Sequence, residues 1–454
     1  MSPNVHFIVA ALRQRLAERK LGLNLEFWNG HRESFGDAAS VTLRLNRPEA
    51  AWRLLRPDLC VLGQAYVEGD IDVLGPASEV MRVAIEFARG FPKNRFLPRL
   101  NWHPWRHTVA SDARAIAHHY DVSNDFYRLW LDGAMVYSCA YFRHGDEDLN
   151  QAQENKLDLI CRKLQLRPGD HFLDIGCGWG ALIFWAQRHY GVKAVGITLS
   201  VAQYEYVKER IAQRGLESQV EVRLQDYRHI IGKEVFDKIA SVGMFEHVGL
   251  QNLPLYFGTI YRLLKAHGLV LNHGITTSTS GDDAVREGAG DFIERYVFPG
   301  GELPDVARAM AEMANQNLEV FDVEGLRPHY AQTLMHWVTR LESRSDEAIR
   351  LVGEKAYRIW RIYMAGSAHA FERGWISVYQ LLAAKHAEPG LSPQPWNREH
   401  MLHRSEASAV AAATPRWPPA GGQVLPLRPG HGLGAISPAW PGDGRPADLS
   451  REPT

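Results

Sequence analysis

A chain of 454 residues, of which 45% are hydrophobic, is long enough for two or three domains and too apolar to be disordered or fibrous. Lysine and arginine (51 residues) balance aspartate and glutamate (52 residues), so the net charge gives no support to nucleic-acid binding. The four cysteines form no CxxC pair and no apolar run approaches the roughly 20 residues of a membrane-spanning helix, which predicts a cytoplasmic protein with free thiols.

Residues 1–110 are predicted to form a small N-terminal α+β domain. It starts with a helical pattern, and SVTLRLN (40–46) alternates apolar and polar side chains as a half-buried strand does. Turn signals follow at Asn29-Gly30, Glu68-Gly69 and Leu74-Gly75.

The end of this domain carries a basic and aromatic stretch, FARGFPKNRFLPRLNWHPWRHTVAS (87–111). It contains five lysines and arginines, interleaved with phenylalanine and tryptophan, and no acidic residue. Basic side chains attract anionic lipid headgroups and tryptophan is favourable at the membrane interface, which predicts a lipid-associated domain that docks peripherally on a membrane. An interdomain linker whose aromatic rings pack on the neighbouring domain explains the same stretch equally well.

Residues 111–385 alternate strand and helix patterns. Strands are predicted at HFLDI (171–175), VKAVGI (192–197), QVEVRL (219–224), FDKIASVG (236–243) and LVLNHGI (269–275), and helices at 181–190, 200–214 and 254–267. This alternation predicts a doubly wound, mostly parallel α/β sheet that binds its ligand at the carboxyl edge of the strands. Residues 386–454 hold 12 of the 24 prolines and show little periodicity, so a disordered tail is predicted there.

The loop after the first of these strands is Gly176-Cys177-Gly178-Trp179-Gly180. Glycines let a ligand lie against the backbone, and we attribute these three to the ligand rather than to folding. The spacing is not the G-x-G-x-x-G of dinucleotide-binding proteins, and residues 194–203 contain no acid for a ribose hydroxyl. S-adenosylmethionine (SAM) has a cationic amino acid end and no phosphate, so it fits better: Asp174 would approach its ammonium group, and Asp226 with Tyr227 its adenine.

Six segments together resemble the cyclopropane-fatty-acyl-phospholipid synthases and the related mycolic acid cyclopropane synthases. They are HHYDVSNDFYRLWLDGAMVYSCAYF (118–142), LDIGCGWGAL (173–182), GITLSVAQ (196–203), SVGMFEHVG (241–249), FIERYVFPGGELP (292–304) and HYAQTLMHW (329–337). The resemblance covers residues 40–385 and implies the seven-stranded sheet of the class I SAM-dependent methyltransferases. It also implies a homodimer, which no feature of the sequence itself indicates.

The resemblance implies methyl transfer from SAM to the cis double bond of an unsaturated phospholipid acyl chain, followed by ring closure as a base removes a proton from that methyl group. The implied base is a bicarbonate ion held by Cys139, Glu246, His273, the Ile275 backbone and Tyr330. Tyr120 and Tyr330 would stabilise the intermediate carbocation through their ring faces. The SAM contacts, together with Asp174 from the loop argument, would be Tyr137, Ser138, Asp174, Gly176, Cys177, Gly178, Gly180, Thr198, Leu199, Ser200, Gln203, Gln225, Asp226 and Tyr227.

Three alternatives stay open. A sister enzyme would lose a different proton and give a methyl- or methylene-branched chain, a silent homologue would bind lipid without turnover, and a nicotinamide oxidoreductase is weakened by the missing ribose acid.

Three side chains raise separate questions. Ser367 stands where many family members have a cysteine, which we expect to be dispensable because direct methyl transfer needs no covalent enzyme intermediate. His118 and His119 lack partners at ligand spacing, so no metal site is predicted, and His247 stays open between a structural and a functional role.

Overall fold

The computed structural model describes residues 3–16, 21–36, 39–55, 57–89, 123–278, 289–297, 301–386 and 394–402, and all of them belong to one compact unit. The amino-terminal elements are helices α1 (Pro3–Leu16), α2 (Ala50–Arg53), α3 (Leu59–Val67) and α4 (Ala77–Arg89) and strands β1 (Leu23–Glu26), β2 (Arg32–Phe35), β3 (Val41–Leu45) and β4 (Ile71–Leu74). The strands form a sheet of order β2-β1-β3-β4, in which β1 and β3 are parallel and the other pairs antiparallel. This is the predicted α+β architecture.

One face of this four-stranded sheet is apolar and the other is polar. The strand register brings Leu25, Leu43 and Val73 side by side. The residues one position along each strand include Glu26, Arg44 and Asp72, which are also in register. Because successive side chains of a strand point to opposite faces, the sheet has a single apolar face to cover.

The rest of the chain forms an α/β sheet. Its strands are β5 (His171–Ile175), β6 (Lys193–Thr198), β7 (Val220–Leu224), β8 (Phe236–Val242), β9 (Leu264–Thr277), β10 (Leu318–Gly325) and β11 (Ile376–Lys385). Its helices are α5 (Asn124–Arg128), α6 (Leu149–Lys163), α7 (Ala181–Tyr190), α8 (Val201–Arg214), α9 (Leu253–Leu263), α10 (Ala289–Tyr296), α11 (Val306–Asn315), α12 (Arg327–Ser343), α13 (Ser345–Arg373) and α14 (Glu399–Leu402), with 3₁₀ turns at Tyr227–His229, Phe245–His247 and Leu250–Asn252.

The seven strands have the order β10-β11-β9-β8-β5-β6-β7. Neighbouring strands are parallel except that β11 runs antiparallel to both β9 and β10. The prediction of a doubly wound, mostly parallel sheet of seven strands is therefore confirmed.

The predicted junction between a helix at 254–267 and a strand at 269–275 was wrong. Helix α9 ends at Leu263, and β9 begins at Leu264, whose backbone is extended. Leu264 pairs with Phe236 of β8, and this tertiary contact overrides the helical pattern of the sequence.

Two arginines of α13 fasten the small sheet to the rest of the molecule. Arg361 donates to Glu342 of α12 (Nε to Oε1, 2.8 Å) and to the Gly75 carbonyl (Nη2 to O, 2.6 Å). Arg358 donates from Nη2 to Oδ1 of Asp72 at 2.6 Å. Arg361 is buried, so its charged hydrogen bonds lie in a low-dielectric environment and are stronger than surface ion pairs. The apolar face of the small sheet is thus held at a fixed place beside α13.

Residues 394–402 follow the predicted end of the catalytic domain and contain α14. Met401 is buried in the same hydrophobic cluster as Leu157 of α6, and Arg398 pairs with Asp322 (Nη2 to Oδ1, 2.7 Å). The disorder predicted from residue 386 therefore does not extend to this segment; residues 403–454 lie outside the described residues, as does the predicted boundary near 110. None of the helices that the structure describes is long and apolar enough to cross a membrane.

Candidate active site

Two cavities meet next to the large sheet. The smaller, of about 130 Å³, lies at the carboxyl ends of β5, β6 and β8, and the larger, of about 740 Å³, lies between α12 and α13 and the small sheet. Tyr137, Gly243 and His247 line both cavities. The smaller cavity lies at the strand edge where doubly wound sheets bind their ligands.

Twelve of the fourteen residues predicted to contact SAM line the smaller cavity, and Gly180 and Ser200 do not. Ser200 is the N-cap of α8, where its hydroxyl accepts from the Gln203 backbone at 3.3 Å. A Cβ atom at Gly180 would lie 2.9 Å from the Phe184 ring and 3.1 Å from Val207. Both residues therefore have a structural role in starting helices.

The three glycines of the loop all have backbone angles that other residues rarely adopt. Their φ values are +83° at Gly176, +53° at Gly178 and +85° at Gly180. A side chain at such a position is strained whether or not a ligand is present. Attributing these glycines to the ligand rather than to folding was wrong, because the turn from β5 into α7 requires them by itself.

Asp174 lies near the end of β5 and lines the smaller cavity. Its carboxylate oxygen Oδ1 is buried and has no hydrogen-bond partner among the described residues. Burial raises the pKa of Asp174 to about 7, and the charge of Lys156 opposes this only in part. An ammonium group next to Asp174 would supply the missing partner and favour the ionised form. The residue therefore fits the cationic end of SAM.

Thr198 and Gln203 are joined by a hydrogen bond at the end of β6. Thr198 Oγ1 donates to Gln203 Oε1 at 2.7 Å and accepts from the Ser200 backbone at 3.1 Å. Because Gln203 accepts through its oxygen, its amide nitrogen remains a donor, which suits a ribose hydroxyl.

Asp226 has a partner that the sequence analysis did not identify. Arg228 lines the same cavity and donates to both oxygens of Asp226, at 2.9 Å (Nε to Oδ1) and 2.7 Å (Nη2 to Oδ2). Burial opposes ionisation, but the hydrogen bonds and charge of Arg228 outweigh it and hold the pKa of Asp226 below its usual range. Asp226 is therefore an ionised, oriented acceptor beside Tyr227.

The larger cavity is lined mostly by apolar side chains from both parts of the molecule. Leu25, Leu43 and Val73 of the small sheet contribute one wall, and Ile362 and Phe371 of α13 contribute to another. Its volume lies in the upper half of the range for small-molecule pockets. Such a cavity suits a long hydrocarbon chain.

Glu246 lines the larger cavity from the 3₁₀ turn after β8. Its Oε1 accepts from the Ile275 backbone at 2.6 Å, while Oε2 is buried and has no partner in the described part of the chain. Burial raises the pKa of Glu246 to about 7, and the bond from Ile275 opposes the shift. The carboxyl group can therefore give or take a proton near neutral pH.

His273 lies on the same face of β9 as Ile275, two residues away. Gln380 of β11 approaches its Nδ1 at 3.2 Å, and Nε2 is buried without a partner among the residues that the structure describes. His273 lines neither of the two cavities. Burial holds the pKa of His273 well below its usual value, so the ring is neutral. With the Gln380 amide donating to Nδ1, the ring proton is on Nε2, which makes that atom a hydrogen-bond donor.

Cys139 and Tyr330 belong to one hydrophobic cluster with Ile275. Cys139 is fully buried and its Sγ donates to the Ala140 carbonyl at 3.2 Å. Burial raises the pKa of its thiol, so it acts as a neutral donor and not as a nucleophile. Tyr330 lines the larger cavity and its ring packs on Phe371 with centroids 4.6 Å apart. Tyr120, like His118 and His119, lies outside the described residues.

The chain matches the family described as mycolic acid cyclopropane synthetase over residues 107–381. The chain belongs to this family. A second match, to a domain of unknown function, covers residues 14–95. The structural match includes a crystal structure of a mycolic acid cyclopropane synthase complexed with SAH and CTAB, at 36% identity and a TM-score of 0.57, covering 60% of this chain and 98% of that one. The family and this neighbour make the chain a class I SAM-dependent methyltransferase.

The relatives that span most of the chain include the following two. A probable fatty acid methyltransferase of Pseudomonas putida is 45% identical over 396 residues, which is 87% of this chain and 100% of the relative. The cyclopropane-fatty-acyl-phospholipid synthase of Escherichia coli K12 is 35% identical over 361 residues, which is 78% of this chain and 90% of the relative.

Several side chains at the cavities were missed from the sequence. Lys156, Trp179 and Arg228 line the smaller cavity, and Tyr363 lines the larger one, where it hydrogen-bonds with Tyr137 and Ser367. Arg228 could have been identified from the sequence, because a basic residue two positions after an acidic residue at a strand end can form an ion pair with it. Lys156 and Tyr363 lie within long helices, and nothing in their local sequence marks them.

Proposed function

We propose that this family member transfers a methylene group from SAM to the cis double bond of unsaturated phospholipid acyl chains, forming cyclopropane fatty acids. The observation that carries the proposal is the shared wall of the two cavities. Tyr137, Gly243 and His247 border both the polar cavity that suits SAM and the apolar cavity that suits an acyl chain. A methyl group bound on one side would face an alkene on the other.

The chemistry follows from that arrangement. The π electrons of the alkene attack the methyl carbon as its bond to sulfur breaks, which leaves S-adenosylhomocysteine and a carbocation on the acyl chain. A C–H bond of the new methyl group then supplies the electron pair that closes the ring, and its proton leaves to a base. The aromatic rings at the junction, Tyr137 and Tyr363, and the ring of Tyr330 stabilise the positive charge without capturing it.

Glu246 and His273 carry groups that would suit a bicarbonate ion. Within the part of the chain that the structure describes, Glu246 Oε2 and His273 Nε2 are buried polar atoms without partners, one on a carboxyl group and one on a neutral imidazole. Bicarbonate has a hydroxyl group that can donate a hydrogen bond to a carboxylate, and oxygens that can accept a hydrogen bond from an imidazole N–H. When bound, it would accept a proton. Ile275 holds Glu246 in place through its backbone N–H.

The same site supports a second candidate, a fatty acid methyltransferase that gives methyl- or methylene-branched chains. The name of the Pseudomonas putida relative favours it. Both reactions share the methyl transfer and the carbocation, and they differ in which proton is lost. We further propose that the protein is cytoplasmic, that it docks on the inner face of the membrane and that it forms a homodimer.

The test supplies the purified protein with SAM carrying a deuterated methyl group and with vesicles of a cis-monounsaturated phospholipid. Mass spectrometry and proton NMR of the released chains should show one added CD₂ unit, no alkene and high-field ring protons. A labelled chain that keeps an alkene or lacks ring protons assigns the branching reaction instead. SAM binding without any labelled lipid would contradict both and leave a silent lipid-binding homologue.

A further inference from the structure

Helix α6 buries two polar side chains next to the smaller cavity, which we call the SAM cavity. Gln153 and Lys156 are 1% and 2% exposed. Lys156 Nζ donates to the Ser138 hydroxyl at 2.8 Å, and Gln153 Nε2 donates to the Ser138 carbonyl at 2.9 Å. One turn of helix therefore holds both the backbone and the side chain of Ser138.

Burying a lysine costs free energy of folding, because its charge leaves water, unless a hydrogen-bond or ionic partner compensates for it. Lys156 lines the smaller cavity together with Asp174, so a positive and a negative group border one small space. The other ionisable groups that face Lys156 are Asp132, Cys139 and His273. Asp132 is already bound to the backbone of Ala134 and Val136, both at 2.8 Å.

The bond from Lys156 decides what Ser138 can do. A hydroxyl group has one hydrogen to donate, and an ammonium group can only donate. Because Lys156 donates to Oγ, the hydroxyl hydrogen of Ser138 is not used in that bond and can be donated to a ligand. Ser138 lines the cavity, so it presents a donor where Asp174 presents an acceptor.

We propose that Lys156 is a positioning residue that makes the site specific for the zwitterionic amino acid end of SAM. It orients the Ser138 hydroxyl to donate to the carboxylate, and its ammonium group supplies the positive charge that this carboxylate needs, while Asp174 takes the ammonium group. The inference rests on SAM binding and is independent of the lipid product, so its test uses no lipid.

The test compares Lys156→Met and Lys156→Arg with the wild type by calorimetric titration of SAM and of the SAM analogue that lacks the carboxylate. A charged hydrogen bond contributes enough that Lys156→Met should weaken SAM binding about ten- to hundredfold. Binding of the analogue should change less than about threefold, and Lys156→Arg should largely restore SAM binding. Equal weakening of both ligands, or of neither, would overturn the proposal.

Lys163→Met is the matched control. Lys163 lies on the same helix, is equally buried and pairs with Asp322 and Glu324 of β10, but it lines neither cavity. We expect this variant to lose stability and to bind both ligands as the wild type does. Should Lys156→Met fail to fold, Ser138→Ala provides the test, because it removes the hydroxyl that links Lys156 to the carboxylate while the lysine stays in place, and it should show the same selective loss of SAM binding.

The pH dependence gives a readout that a merely structural role would not change. Burial lowers the pKa of Lys156 to about 8, while Cys139, Asp132 and Asp174 oppose the shift. SAM affinity should therefore fall above pH 8 as the lysine loses its charge. The ammonium group of SAM titrates in the same region, so Lys156→Arg, whose side chain stays charged, is the reference. The wild type should lose affinity more steeply than Lys156→Arg, and parallel profiles would contradict the proposal.

Discussion

The two cavities differ in how they are built. The SAM cavity is formed by loops that directly follow consecutive strands, so its polar groups lie close to one another in the sequence, as in the loop from Asp174 to Gly180. The larger cavity, which we call the acyl cavity, is bounded by Leu43 of the small sheet and by Ile362 and Phe371 of α13. These two residues are more than 300 positions away from Leu43 along the chain. The first cavity depends on local turns, and the second depends on how two parts of the molecule are fastened together.

The largest effect is expected at Glu246, which lines the larger cavity next to the shared residue His247. Glu246→Gln removes the titrating carboxyl group and should lower kcat about 10²–10⁴-fold, as loss of a positioned acid or base does. SAM binding should remain, because Glu246 lines only the acyl cavity. The control is Glu302→Gln, an exposed residue whose carboxylate accepts from the Leu250 backbone at 2.9 Å. Equal activity of the two variants would exclude Glu246 from the chemistry.

Asp174 and Glu246 should each lower the stability of the ligand-free protein as the pH rises from about 4 to about 7. Burial raises the pKa values of both carboxyl groups to about 7, above those of the unfolded chain. Between the unfolded and folded pKa values the folded state binds more protons, so the contribution of each group to the free energy of unfolding is full below about pH 4 and is lost as the pH rises through about 7. The ionisation of each group can lower the free energy of unfolding by an amount on the order of 3 kcal/mol.

Urea unfolding at several pH values measures this effect in the wild type and in Glu246→Gln. The variant should show a flatter pH dependence and gain relative to the wild type as the pH rises. A variant curve that runs parallel to the wild-type curve would show that Glu246 ionises normally in the fold.

The glycine loop shows how much of the SAM cavity is dictated by folding. Gly180→Ala should lower the free energy of unfolding by about 2–4 kcal/mol without any ligand, from left-handed strain and contact with Phe184. Gly178→Ala is the matched comparison, since its Cβ would meet nothing within 4 Å, and should cost only about 1–2 kcal/mol. If the variants lose SAM affinity while the free energy of unfolding is unchanged, these glycines are required for ligand binding and not for folding.

The acyl cavity is tested by narrowing its wall. Leu43→Phe should reduce kcat/KM for longer acyl chains by about fourfold per methylene group that no longer fits, relative to shorter chains with the same double-bond position. Thr42→Phe places the same ring on the polar face of β3, away from the cavity, and should leave the chain-length preference unchanged. If both variants change the chain-length preference to the same extent, the apolar face of the small sheet does not contact the acyl chain.

The smallest effect is expected at Ser367. It lines the acyl cavity and hydrogen-bonds with Tyr363, an interaction that a cysteine can make more weakly. Ser367→Cys should therefore change kcat less than about threefold. A large gain in activity would show that the cysteine of other family members is functional, and Ser367→Ala would then separate the thiol from the hydrogen bond.

The sequence predicted the SAM cavity better than the acyl cavity for a physical reason. Parallel strands align their carboxyl ends, so Asp174 and Asp226 could be placed together from strand positions alone. Cys139 and Tyr330 were found only through the family resemblance, because nothing near them in the sequence indicates what they contact. Lys156 was not found at all, since a lysine in a helix is usually exposed and only the tertiary fold buries it.

The most direct test of the central claim is a crystal structure of the protein with S-adenosylhomocysteine and a cis-monounsaturated phospholipid. We predict that the double bond lies at the shared wall of Tyr137, Gly243 and His247, facing the sulfur atom, with the rest of the chain in the larger cavity. An acyl chain bound elsewhere, or a double bond separated from the sulfur by protein, would contradict the claim that the two cavities form one active site.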